Sequence, residues 1–186
     1  MKIIVLPLLL ISFLCSGAQD RELFSYINSY RTAHGLKELV WSSEMLTIAG
    51  EVCGIMSETD SLQHSGANTY EVALMGNSLP NTPEDKEKFS EFTKHYFNVE
   101  YKNIKGLNYG ELTTFNKMFM LYLWSSSDAH QKIILNKRVK TGACDSKIKG
   151  VFIYIDNCIE VLNNTYCFDG IASHYAIDYN ATLTIR

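Results

Sequence analysis

The chain has 186 residues, 17 basic and 20 acidic side chains and a formal net charge of −3, with the two signs interspersed. No basic block is present to neutralise a phosphate backbone or an anionic lipid surface, so nucleic-acid binding and charge-driven membrane binding are excluded. The length and a 46% hydrophobic content suit one domain with a real core.

The N-terminus has the order of a secretory signal: Lys2, an apolar run over residues 3–14, then the small residues Ser16, Gly17 and Ala18. A spanning helix needs about 20 apolar residues, so residues 1–18 are expected to be cleaved after Ala18 and the chain is not expected to be an integral membrane protein. Cleavage leaves a secreted, extracellular domain over residues 19–186 and discards Cys15. Cys53, Cys144, Cys158 and Cys167 then remain, an even number in an oxidising compartment, which favours two disulfides over a metal site. Three pairings are open. Cys158 with Cys167 closes a short loop in a β-rich tail, and elimination pairs Cys53 with Cys144. Asn163 and Asn180 each open a glycosylation tripeptide.

Leu23, Phe24, Ile27 and Tyr30 recur at helical spacing behind the capping residue Asp20, and Gly35 marks the stop. A second helix is expected over residues 44–56, capped by Ser42 or Ser43, with Leu46, Ala49, Cys53 and Met56 as its stripe. A loop carrying His64 and Glu71 leads to Thr82-Pro83-Glu84-Asp85, whose hydroxyl cap and first-turn proline start a third helix ending near Phe97. Residues 98–111 read as loop. A fourth helix begins near Thr114 and closes on Trp124, a core residue, and Ser127 caps a short helix over residues 128–135 that carries His130. Beyond Gly142 the residues alternate in the manner of strands up to Ile185. Helices first and strands last predict an α+β domain with an antiparallel sheet.

His64, Glu71 and His130 are the candidate site: two imidazoles and a carboxylate that the fold could bring together. No nucleophile elbow, phosphate loop or His-Glu-x-x-His helix occurs.

Order and spacing along most of the chain after residue 18 resemble the CAP superfamily of cysteine-rich secretory, antigen 5 and pathogenesis-related proteins. Asn28 and Arg31, followed by a glycine and then Leu39-Val40-Trp41, are similar to its first-helix pattern. His64-Ser65 resembles the first site histidine, Tyr70-Glu71-Val72-Ala73 the Gly-Glu-Asn segment, and Trp124-Ser125-Ser126-Ser127 with His130 the Trp-x-x-Ser-x-x-His helix start. Val72 departs from the usual asparagine, a helical insertion stands near residues 83–111, and Ser127 replaces a second glutamate. The resemblance implies an α-β-α sandwich with a central antiparallel sheet between helices and a cleft of His64, Glu71 and His130. It implies a secreted binding protein for a lipid or sterol, a divalent metal or an extracellular protein. A metal-assisted hydrolase is the alternative, with a host-interaction or structural protein whose cleft is vestigial as the third reading. Zinc, if bound, is expected to be weak and not required.

Overall fold

The structure is a computed structural model and describes residues 20–67, 69–76, 80, 82–101, 109–155, 158–161, 164–167 and 176–186. The signal segment and Asn163 lie outside these residues.

Helix α1 (Arg21–Ala33) starts where Asp20 Oδ1 accepts from the Leu23 amide at 2.8 Å, satisfying one of the unpaired first-turn donors. The other Asp20 oxygen accepts from the Ser146 hydroxyl, and Lys117 Nζ lies 3.1 Å from Oδ1. Glu22 takes bonds from Tyr26, Thr114 and Lys117. One cap therefore also ties the helix to two distant elements. Helix α2 (Ser43–Thr59) is capped by Ser42, and α3 (Pro83–Phe97) by Thr82 with proline in its first turn. Helix α4 (Tyr109–Ser125) starts earlier than expected, taking Tyr109, Gly110 and Glu111 out of the predicted loop. Helix α5 (Asp128–Ile134) follows Ser127, which holds the N-cap position without a side-chain bond.

Strands β1 (Val40–Trp41), β2 (Tyr70–Gly76), β3 (Thr141–Ile155), β4 (Cys158–Val161), β5 (Asn164–Cys167) and β6 (Ala176–Ile185) form one sheet in the order β2-β6-β3-β4-β5, with β1 beside β3. Every pairing is antiparallel except β1 with β3. The sheet is antiparallel along all its long pairings, as expected, and the two-residue parallel pair sets Trp41 opposite Gly142. A Cβ at Gly142 would stand 2.7 Å from Ile185 Cγ2 and 3.1 Å from the Thr184 carbonyl, so only glycine lets the three segments meet.

Strand alternation sorts the core into two layers. Val72, Cys144, Leu183 and Ile185 pack with α1, α3, α4 and α5 around the fully buried Trp124. Ala73 packs on the other face with Val52 and Met56 of α2. Helices thus cover both faces of the sheet, giving an α+β fold. Helix α3 contributes Phe89 and Phe92 to the larger core and is part of the packed body.

The same alternation overturns one expected bridge. Cys144 is buried on the face toward α1 and α4, whereas Cys53 is buried on α2, which covers the opposite face. No disulfide joins Cys53 to Cys144, because the sheet stands between them. Cys158 and Cys167 are directly opposed in the β4–β5 register. Asn180 is not in a loop: it lies within β6, opposite Met75 on one side and Lys147 on the other.

Candidate functional site

Glu71 is the second residue of β2, not a loop residue, and its side chain is 6% exposed. The chain leaving α2 turns back toward it through Gly66, whose φ of +71° is a left-handed value that a side chain would strain. This reversal places three donors on one carboxylate. The Ser65 amide donates to Oε2 at 2.8 Å, the Ser65 hydroxyl donates to Oε1, and the Thr69 hydroxyl donates to Oε1 at 3.1 Å. His64 Nδ1 stands 3.5 Å from Oε2, with its ring largely in solvent.

Burial by itself would raise the Glu71 pKa. The bonds from Ser65 and Thr69, together with attraction to His64, outweigh it and hold the carboxyl below its ordinary range. Glu71 is therefore ionised at neutral pH and a weak proton acceptor.

His130 is half-buried in the first turn of α5, which packs against β2. Its pKa is lowered, first by burial and then by repulsion from His64, so its imidazole is neutral at pH 7. Helix α5 packs against β2, the strand that carries Glu71, although His64 follows α2 and His130 opens α5. The structure thus makes one pair, His64 with Glu71, and sets His130 on the helix that packs against β2. His34 is engaged elsewhere: its Nδ1 contacts the Tyr30 carbonyl at 2.8 Å and its ring stacks on Tyr96.

A zinc site built from this trio would need an open Glu71 oxygen. Oε1 already accepts from two hydroxyls, and Oε2 accepts an amide with His64 alongside. Ser127 supplies a hydroxyl where a second carboxylate would complete the set. Among the described residues no three His, Cys, Asp or Glu side chains are grouped to hold a metal ion. The residues present do not fit a three-ligand zinc site.

Hydrolysis without metal fares no better. The Ser65 hydroxyl touches Glu71, but a carboxylate held below its usual pKa is a poor general base, and the same oxygen already accepts the Ala67 amide at 2.9 Å. Sequence reading placed Ser65 only as the neighbour of His64 and did not single out Thr69. Their grip on Glu71 depends on the loop closing onto β2, which no short motif encodes.

Arg31 anchors the region beside α5. Its guanidinium is buried and donates to the carbonyls of Lys37, Ile134 and Asn136, joining the end of α1 to the end of α5. Asn28 completes the anchor: its amide donates to the Leu39 carbonyl at 3.1 Å and accepts from the Leu39 amide at 2.9 Å. These are the two polar residues of the first-helix pattern, and the structure assigns them to bracing.

The model of the CAP family, the cysteine-rich secretory protein family, matches residues 24–154. Among solved structures the chain is similar to an outer surface protein from Borrelia burgdorferi, at 12% identity over 88% of this chain and 89% of that one, with a TM-score of 0.43. Comparison with curated proteins gives no match.

Proposed function

The chain belongs to the CAP family of cysteine-rich secretory proteins, and from that premise we propose that it is a secreted protein that acts by binding, with a cleft that has lost the chemistry of a metal-dependent enzyme. The observation that carries this reading is the state of Glu71: ionised, 6% exposed, and bonded to Ser65 and Thr69 so that it fastens both residues to β2. A carboxylate so engaged serves the scaffold. Two imidazoles, His64 and His130, are left to meet a ligand, one exposed and one neutral.

Of the ligand classes proposed from the sequence, this arrangement supports weak zinc contact through two imidazoles over a resident cofactor. A carried lipid or sterol is the other class, and an extracellular protein partner the third. Secretion is supported by the signal-like residues 1–18. No helix among the described residues is long and apolar enough to cross a membrane.

The discriminating experiment is hydrolysis of ester, peptide and phosphoester substrates by the purified protein with added zinc, with and without chelator. The expected result is no turnover above the zinc-only control in any condition. Chelator-sensitive turnover that His130→Ala abolishes would replace this reading with the hydrolase.

A further inference from the structure

The connection leaving α1 and the connection leaving α5 run side by side and border a half-open cavity of about 700 Å³ whose lining includes none of His64, Glu71 and His130. Its charged lining comprises Arg31, Lys37, Lys137 and Lys140, opposed by the single carboxylate Glu38. Four cations around one cavity, on a chain whose net charge is −3, are a local reversal of sign. None of the three lysines has an ion-pair partner among the described residues.

Arg31 gives the cavity more than surface charge. It is 2% exposed, and its Nε and Nη1 donate only to neutral carbonyls. No carboxylate neutralises it, and its Nη2 has no partner among the described residues. A buried cation without a counter-charge is costly, and an anion in the space it lines would relieve that cost. With Nε and Nη1 engaged by carbonyls, Arg31 offers an oxoanion its charge and the N–H groups of Nη2, and the flanking lysines add point charges. Leu36, Val40 and Val139 supply apolar lining for the body of a ligand. The volume falls in the range of small-molecule sites and exceeds what a bare oxoanion would fill.

We propose that this cavity binds a sugar-sized ligand carrying a phosphate or sulfate ester, the oxoanion directed to Arg31 and held by Lys37, Lys137 and Lys140. The two esters present the same tetrahedral oxygens and are told apart by experiment.

The test is an amide NMR titration of the intact folded protein with N-acetylglucosamine 6-phosphate, N-acetylglucosamine 6-sulfate and unmodified N-acetylglucosamine. At least one ester is expected to give saturable shifts over residues 36–40 and 137–140, and the neutral sugar none. Binding of both identifies charge as the feature read, while binding of one identifies the source. The triple variant Lys37→Gln, Lys137→Gln, Lys140→Gln changes only exposed side chains and is expected to weaken the ester at least tenfold. Lys86→Gln, on the solvent side of α3, is expected to leave affinity unchanged. Absence of saturable shifts with both esters, equal shifts with the neutral sugar, or undiminished affinity in the triple variant would overturn the proposal.

Discussion

Glu71 is where the chemistry of single residues decides what the cleft can do. Its oxygens receive an amide and two hydroxyls, and charge-assisted bonds of this kind contribute about 1.5–3 kcal/mol each. Because its folded-state pKa is lowered, the stability it contributes is present above the ordinary carboxylate range and is lost as pH falls through the folded value. His130 has the opposite consequence. An imidazole whose folded pKa is lowered binds its proton more readily in the unfolded chain, so stability falls as pH drops below about 6.5. Urea unfolding separates the two effects. Glu71→Gln should cost about 1–3 kcal/mol at pH 7.5 and progressively less toward pH 3. His130→Gln should flatten the dependence between pH 7 and pH 5. A Glu71→Gln penalty that is the same at both pH extremes would show that the carboxylate's charge is not what the loop holds.

At the scale of elements, the helices were legible because their caps and stripes are local: Asp20, Ser42 and Thr82 each make the side-chain bond that their positions promise. Strand β2 was not, and the reason is burial on both faces. Val72, Ala73, Leu74 and Met75 form an apolar run without alternation, since Val72 faces the larger helical layer and Ala73 faces α2. Glu71 was consequently expected in a loop. Pairing Cys53 with Cys144 by elimination also failed for a reason that cysteine counting cannot register, namely which face of the sheet each residue occupies. The β4–β5 pair offers the geometry that the other pair lacks. Directly opposed residues of antiparallel strands hold their Cα atoms about 4.5–5.5 Å apart, within the span that a disulfide bridges. We expect Cys158 and Cys167 to be linked in the secreted chain, contributing about 2–3 kcal/mol through loop closure. Alkylation and mass spectrometry of the denatured, unreduced mature protein should then modify Cys53 and Cys144 and leave residues 158–167 as one bridged peptide. Modification at Cys158 or Cys167 would rule the bridge out.

For the whole molecule, resemblance made the family legible while leaving the state of the candidate site residues hidden. His64 and Glu71 stand side by side, and His130 lies on α5, which packs against β2 although two helices, α3 and α4, separate it from Glu71 in the chain. Nothing in the sequence order revealed that Ser65 and Thr69 close on Glu71, or that Arg31 joins two connections that begin some hundred residues apart. The basic cavity was illegible for a similar reason, since Lys37 and Lys137 become neighbours only through the fold. The central claim is that the cleft retains its family residues but not a resident metal site, and a calorimetric zinc titration of the metal-free protein at pH 7.5 tests it most directly. The account predicts a dissociation constant weaker than about 1 µM, far short of the about 10–16 kcal/mol typical of structural zinc, and further loss of affinity in His64→Ala and His130→Ala. Stoichiometric nanomolar binding that Glu71→Gln abolishes would contradict it, by showing that the carboxylate leaves Ser65 and Thr69 to become a ligand.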